Sequence, residues 1–279
     1  MPRLNVLVKT LRDLRWQVFW YGLGLAAMAA LVIAIYPSYA GQLEDFQLPE
    51  AFEKLFGIEA YTTPEGFVST EFFSQTVPVL MIIYAIMQGT SALAGEEVKG
   101  TIDVLLAAPI SRRRLAVEKI GAFFLSTLLI SVAICPAWLI SIPAVDVDLS
   151  LVDVIVATFS FLPLVWAFYA FSLLAAAALP SRGLATGVVV LFAVATYVIY
   201  ALALIVDVLD PLRWLAPFNY YNGNEVVAKG PDYAGAAVLT GVSVACWLLA
   251  VQAFERRDLG VRSEVSLPRL PWRRAPVSV

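Results

Sequence analysis

Six runs of about 20 apolar residues constrain this chain more than any other feature. Hydrophobic residues make up 60% of its 279 residues and charged residues 15%, whereas a soluble domain has about 45–50% and about 25%. A helix rising 1.5 Å per residue needs about 20 residues to cross the ~30 Å hydrocarbon layer of a bilayer. The sequence therefore predicts an all-α integral membrane fold with six transmembrane helices. The predicted spans are residues 16–36, 72–94, 120–142, 154–179, 185–206 and 235–254.

The basic residues predict the orientation of these helices. All but three of the 19 Lys and Arg residues precede the first span, follow the last, or lie between spans 2 and 3 or 4 and 5. The three exceptions are Lys54, Arg213 and Lys229. Cytoplasmic loops carry an excess of Lys and Arg. We therefore expect a multi-pass protein of the plasma membrane with both termini in the cytoplasm.

The end of the first span is similar to a signal-peptidase site, with Ser38, Tyr39 and Ala40 in sequence. The apolar stretch of a signal peptide has ~7–15 residues, and the run before this site has about 21. We therefore expect an uncleaved span.

Composition excludes several kinds of chemistry. The chain has no histidine, so it lacks imidazole metal ligands and the base of a Ser-His-Asp triad. Its two cysteines, Cys135 and Cys246, lie within apolar runs and are interpreted as small buried residues. The net charge of −3 is too small to indicate nucleic acid as a partner.

Residues 1–15 predict a basic amphipathic helix at the cytoplasmic membrane surface. Apolar side chains recur at helical spacing and basic ones lie off that stripe, which suits contact with anionic membrane lipid. Two interpretations stay open: a basic flank that orients the first span, and a helix that also contacts a cytoplasmic partner. The stripe comprises Leu4, Leu7, Val8, Leu11 and Leu14, with Lys9, Arg12 and Arg15 outside it.

The two long connections on the other side of the membrane differ in composition. Residues 37–71 are acidic apart from Lys54, and residues 49–57 within them predict a short interfacial helix. Residues 207–234 are rich in aromatic side chains that predict anchoring at the lipid headgroups. These side chains include Trp214, Tyr220 and Tyr221.

Small residues recur four apart in two spans, a pattern that lets helices approach closely. The first span carries Gly22, Ala26 and Ala30, and the fifth begins with Gly183 and Gly187. Packing within the subunit is the first expectation for these residues. A subunit interface is the alternative.

The connection over residues 95–119 predicts a short capped helix on the basic side, with the sequence GEEVKGTIDVLLAAPISRRRLAVEK. Thr101 can cap a helix, Pro109 stops it, and Ser111 can cap the third span. An apolar patch on this helix favours docking into a protein partner, and the alternative is a solvated basic loop. The patch consists of Ile102, Leu105 and Leu106.

This segment resembles the type-two export permeases of ATP-binding-cassette (ABC) transporters. The family pattern is a glutamate, a Gly-Thr pair, a Leu-Leu pair, a proline and a Ser-Arg pair, in that order. The matching residues are Glu96 or Glu97, Gly100, Thr101, Leu105, Leu106, Pro109, Ser111 and Arg112. Weaker similarity covers the six spans, Pro217 with Phe218 and Tyr220 before the last span, and the closing Arg256-Arg257-Asp258.

The resemblance implies that residues 96–112 form a coupling helix, seated in the ATP-binding subunit of the transporter. Leu7, Leu11, Arg12 and Arg15 would lie on a connecting helix beside it. A second permease subunit, identical or paralogous, would complete the transport path. The family exports varied cargo, including drugs, lipids and polysaccharides, so the resemblance does not name the substrate.

The resemblance also implies that ATP and Mg are bound by the partner ATPase, with no cofactor on this chain. The sequence agrees, since it contains no GxxxxGK[ST] phosphate-binding loop. The chain is therefore not expected to be an enzyme. The expected organisation is a connecting helix at 1–15, a transmembrane domain at 16–254 and a basic cytoplasmic tail at 255–279.

Two other functional classes stay open. An ion-coupled secondary transporter normally carries ionisable residues within its spans, and the predicted span interiors contain none. A scaffold or sensor subunit that transports nothing needs no such residues. A membrane protease with paired glutamates, as at Glu96 and Glu97, also needs the histidines that this chain lacks.

Overall fold

The structure, a computed structural model, describes residues 6–40, 63–98 and 111–256. These residues are mostly helical and contain no β-strand. Six helical stretches among them are long and apolar enough to cross a membrane. The helices are α1 (Val6–Ala40), α2 (Pro64–Val68), a π-helix (Ser69–Thr76), α3 (Val77–Val98), α4 (Arg112–Val145), α5 (Leu151–Ser160), α6 (Leu162–Ala178), α7 (Arg182–Ala203), α8 (Asp210–Arg213), α9 (Val226–Lys229) and α10 (Tyr233–Arg256).

The predicted all-α fold with six spans is confirmed. The first span differs in its start, because α1 begins at Val6 and continues unbroken past the boundary expected at residue 15. No glycine or proline interrupts residues 6–21, so nothing local ends a helix there. The surface position of residues 1–15 stays a prediction. The short coupling helix and the interfacial helix at 49–57 lie outside the described residues.

Serine caps start three of the spanning helices. The hydroxyl oxygens of Ser111, Ser150 and Ser181 each accept a hydrogen bond from the backbone N–H three residues later, at 3.2–3.4 Å. Each serine has extended backbone angles, as a helix N-cap requires. The start of each of these helices is thus set by a single serine side chain.

Prolines lie within the spans without ending them, as the sequence predicts. Pro136 lies inside the unbroken α4. Before Pro163, α5 gives way to α6 at Phe161, but Phe161 keeps right-handed helical angles and its carbonyl accepts from the N–H of Val165 at 3.1 Å. Pro78 is the second residue after the π-helix, which ends at Thr76, and the wider turn accommodates a residue that donates no N–H.

The helix α6 lies at the centre of the bundle. It packs against α3, α7 and α10, and most of its residues are buried. Gly89 of α3 allows a close approach to α6, because an added Cβ there would overlap Ser172. The helix α1 packs separately along α4. Two helix pairs, α1 with α4 and α6 with α10, therefore organise the fold.

Buried polar side chains in the spans bond to one another. The hydroxyl of Tyr84 donates to Ser126 Oγ at 3.0 Å, and Trp138 Nε1 donates to Thr158 Oγ1 at 3.0 Å. These bonds join α3 to α4 and α4 to α5. In hydrocarbon no water can replace them, so they fix the relative rotation of the helices.

Candidate functional site

The predicted docking residues fall at neighbouring ends of α3 and α4. Glu96 and Glu97 belong to the last turn of α3, Ser111 directly precedes α4, and Arg112 is its first residue. The rest of the predicted docking set lies outside the described residues, so its role stays a prediction. Those residues are Gly100, Thr101, Ile102, Leu105, Leu106 and Pro109.

Ser111 fixes the point where the chain re-enters the bundle. Its hydroxyl oxygen accepts from the backbone N–H of Arg114 at 3.3 Å, and its own backbone is extended, with φ −68° and ψ 145°. The predicted N-cap of the third span is confirmed. One local contact therefore fixes the first residue of α4.

Glu118, in the second turn of α4, holds the beginning of α1. Its Oε2 accepts from the backbone N–H of Leu7 at 3.1 Å, and its Oε1 accepts from Arg114 Nε at 2.6 Å. The first N–H groups of a helix have no partner within the helix and carry partial positive charge. A carboxylate supplied by another helix satisfies both needs, so Glu118 caps α1 from α4.

Lys119, the next residue, joins α4 to α3. Its Nζ donates to the carbonyl of Ala92 at 2.6 Å, and the residue is only 8% exposed. Tyr169 of α6 donates its hydroxyl to the carbonyl of Lys119 at 3.5 Å. A buried ammonium needs such acceptors because burial removes its water. We name the pair Glu118 and Lys119 the clasp, since it links three spans at one level.

The apolar stripe of the N-terminal segment packs against α4. The Leu7 side chain lies 3.3 Å from the position that a Cβ on Gly121 would occupy, and Leu14 is buried. Leu11 is half-buried, whereas Arg12 and Arg15 are exposed. Leu7 and Leu14 of the predicted stripe therefore contact the bundle, whereas Val8 is 57% exposed and Leu4 lies outside the described residues. The two arginines remain on the free side.

Sequence reasoning missed the clasp, because it counted Lys119 only among the basic residues between spans 2 and 3 and gave Glu118 no role. One local signal was present, since Arg114 and Glu118 are four residues apart on a helix. The other contacts join residues 111 positions apart, at Leu7, and 27 positions apart, at Ala92. No local pattern encodes such pairs.

The small residues of the first span serve packing within the subunit. A Cβ added to Gly22 would lie 2.9 Å from the Cβ of Ala133 in α4. Ala26 and Ala30 follow on the same side and are half-buried. The first expectation for this stripe is thus confirmed at Gly22.

The glycines of the fifth span lie on an open face instead. A Cβ added to Gly183 or Gly187 would have nothing within 4 Å among the described residues. Further along α7, Leu191 is 69% exposed and Val194 is 55% exposed. This face, which we name the α7 face, is available to lipid or to a second subunit.

Residues 204–232, which we name the distal cap, cover the end of the bundle far from Ser111. The Tyr221 hydroxyl donates to the carbonyl of Phe73 in the π-helix at 2.8 Å, and burial raises the pKa of Tyr221. Trp214 is exposed, as expected for a headgroup anchor. The same expectation is wrong for Tyr221, because its hydroxyl finds a buried acceptor inside the protein.

The described residues contain six helices apolar enough to cross a membrane, and the clasp joins three of them at the end beside the predicted docking segment. The chain is therefore a multi-pass membrane protein. A sequence model of the ABC-2 family transporter proteins matches residues 4–259, and the chain belongs to this family. It is thus a permease subunit of an ABC transporter, a class that in general has an ATPase partner and a dimeric arrangement. Comparison with curated proteins gave no match.

Proposed function

We propose that this chain is the membrane-spanning subunit of an ATP-driven exporter, in which it forms half of the transport path. A separate ATPase subunit would bind ATP and Mg and drive transport, and this chain would hold no cofactor. Family membership over residues 4–259 supports the proposal, as does the lack of a phosphate-binding loop in the chain. The observation that carries it is the clasp beside residues 96–112.

Residues 96–112 are the proposed coupling helix. Its two flanks are the end of α3 and the start of α4, and the clasp joins both of these to each other and to α1. A displacement of the segment by the ATPase would therefore move the ends of α1, α3 and α4 together. In this way, nucleotide binding by the ATPase subunit would change the positions of the transmembrane helices.

The α7 face is the proposed contact with the second permease subunit, identical or paralogous. Gly183 and Gly187 lie about one helical turn apart and leave a flat strip on the surface of α7. No described residue of this chain covers this strip. Small residues in such strips permit backbone approach between transmembrane helices. A path enclosed by two subunits would then border α7.

The proposed orientation places both termini in the cytoplasm and residues 37–71 outside the cell. We expect a cysteine at Ala60 to react with an impermeant maleimide added to intact cells, and one at Leu270 to react only after lysis. The background for both is a variant with Cys135 and Cys246 replaced by alanine. Labelling of both positions from the same side would contradict the orientation.

The docking proposal is tested by the double substitution Leu105→Asp with Leu106→Asp. Two carboxylates in an apolar contact would each be buried without a partner, which is strongly unfavourable. We expect the ATPase subunit to be lost from the purified complex and ATP-dependent export to stop. The matched control is Val208→Asp with Leu215→Asp in the distal cap, where both side chains are exposed.

The control variant should keep the ATPase subunit and export. The docking assignment is wrong if the Leu105/Leu106 variant still co-purifies with the ATPase and its ATP hydrolysis is unchanged. Loss of the ATPase from both variants would indicate a general folding defect, and would equally count against a specific role for the segment.

A further inference from the structure

A cavity of about 310 Å³ lies near the distal end of the bundle. Its walls are the bend between α5 and α6, the distal cap and the first turns of α10. This volume is at the lower end of the range of small-molecule sites, about 300–1,000 Å³. The cavity is distinct from the clasp and from the α7 face. Its lining includes Val156, Phe159, Pro163, Tyr220, Ala236 and Leu239.

The hydroxyl groups of Ser160, Tyr220 and Tyr221 in the lining offer acceptors, because each already donates its proton to a backbone carbonyl. The hydroxyls of Tyr220 and Tyr221 donate to the carbonyls of Trp214 and Phe73 at 2.9 and 2.8 Å. Asn222 Nδ2 donates one of its two N–H groups to the carbonyl of Gly230, and its Oδ1 accepts from the backbone N–H of Asp232. A ligand that brings its own hydrogen-bond donor is therefore favoured.

Asp232 makes the charge of the lining negative. Its Oδ1 accepts from the backbone N–H groups of Ala234 and Gly235 at 3.0 Å each, which holds the carboxylate at the rim of the cavity. No Lys or Arg belongs to the lining. The nearest basic residue in sequence, Lys229, is paired with Glu225 at 2.7 Å. An anionic ligand is disfavoured by this arrangement.

The rim connects the cavity to the surroundings of the spans. Val156 is 40% exposed and Tyr233 is 74% exposed, and both belong to stretches apolar enough to lie in a membrane. A molecule dissolved in the adjoining leaflet could therefore enter with its apolar part first. Its charged end would then remain at Asp232.

We propose that this cavity binds an amphipathic amine, an apolar body that carries an ammonium group. The apolar body occupies the space between Phe159 and Leu239, and the ammonium donates to the Asp232 carboxylate. Two sources share this chemistry, an aminophospholipid of the membrane and a free hydrophobic amine. The proposal does not depend on ATPase docking at residues 96–112.

The test uses dodecylamine carrying a photoreactive diazirine, with the full chain in phosphatidylcholine nanodiscs. Labelled peptides are mapped by mass spectrometry. A dodecanol probe with the same diazirine serves as the uncharged control. We expect the amine to label residues 151–163 and 233–239 about tenfold more strongly than the alcohol does, as one charge-assisted hydrogen bond would give.

Two variants with a matched control separate binding from folding. Asp232→Asn keeps the oxygen that caps α10 and should reduce amine labelling to the level of the alcohol. Ala236→Phe fills the cavity and should abolish labelling, whereas Ala237→Phe, on the exposed side of the same turn, should leave it unchanged. Equal labelling by both probes overturns the proposal, as does amine labelling that persists in Asp232→Asn or Ala236→Phe.

Competition then identifies the source. If phosphatidylethanolamine added to the nanodiscs displaces the amine probe, the ligand is an aminophospholipid. If only soluble unlabelled dodecylamine displaces it, the ligand is a free hydrophobic amine. If neither displaces it, the labelling is not site-specific and the proposal fails.

Discussion

The end of the bundle at the clasp is held by charged side chains, whereas the distal end is held by backbone groups that pack against each other. At the clasp, Glu118 and Lys119 reach across to α1 and α3. At the distal end, Gly223 and Gly235 lie so close to backbone atoms of neighbouring segments that a Cβ would not fit. Long side chains can re-form their bonds after a shift of a few ångströms, but close-packed backbone cannot. We therefore expect movement at the clasp and a rigid distal end.

The largest expected effect is that of Gly235→Val at the distal end. The new side chain would collide with the carbonyl of Tyr220, and overpacking of this kind typically costs about 1–3 kcal/mol or more. The control is Gly241→Val in the same helix α10, where an added Cβ would meet nothing within 4 Å. Thermal unfolding of the purified protein should show a large loss of stability for the first variant only. Equal losses would mean that the distal end is not closely packed.

Removing one hydrogen bond of the distal cap should have a moderate effect. Tyr221→Phe leaves the buried Phe73 carbonyl without its donor, which costs about 1–3 kcal/mol of the free energy of unfolding. The control Tyr233→Phe changes a side chain that is 74% exposed and should be neutral. Thermal unfolding measures both variants, and a neutral Tyr221→Phe would show that the cap is not anchored there.

The same tyrosine predicts a pH dependence. Burial raises the pKa of Tyr221 above its ordinary value of 10.0, so its contribution to stability is complete below about pH 10. Above that pH the unfolded chain releases the proton first, and stability falls by up to about 1.4 kcal/mol per pH unit. Unfolding at stepwise increasing pH should show a shallower decline for Tyr221→Phe than for the unchanged protein. Equal declines would contradict a buried phenol.

The smallest effect on stability is expected at the clasp, from Glu118→Gln. Glutamine can still accept from the Leu7 N–H, so the losses are the charge at the start of α1, worth about 0.3–1 kcal/mol, and the exposed ion pair with Arg114, worth about 0.3–0.5 kcal/mol. The control is Glu255→Gln, an exposed residue in the last turn of α10. If the clasp transmits movement as proposed, export should nevertheless fall in Glu118→Gln while the ATPase subunit remains bound. Unchanged export would show that the clasp has no role in transport.

The spans could be predicted because bilayer thickness fixes the length of an apolar run. The packing partners of each span could not be predicted in this way. The apolar 18-residue stretches of the fourth and fifth spans have mean hydropathies of 2.1 and 2.2. Yet 50% of the stretch in the fourth span is buried inside the protein, and only 22% of that in the fifth. Hydropathy measures how favourably a side chain leaves water, and an apolar side chain does so equally well into lipid or into the protein interior. The position of α6 at the centre and α7 at the edge follows from side-chain fit instead.

Predictions about individual residues succeeded where the cause was local. Ser111 caps α4 through the next turn of its own helix, and such a contact can be inferred from sequence. The small-residue pattern was ambiguous, because Gly22 packs on Ala133 whereas Gly187 faces open space. Both belong to a repeat of small residues four positions apart, so only the fold separates them. The clasp and the distal cap were missed for the same reason.

The central claim, that residues 96–112 contact an ATPase subunit, is tested most directly by crosslinking from within that segment. A photoreactive benzoylphenylalanine replaces Leu105 in one variant and the exposed Leu215 of the distal cap in another, and both are irradiated in native membranes. We predict that Leu105 gives one adduct, which mass spectrometry identifies as an ATP-binding subunit, and that Leu215 does not. An adduct with the ATPase from Leu215 but not from Leu105 would contradict the account.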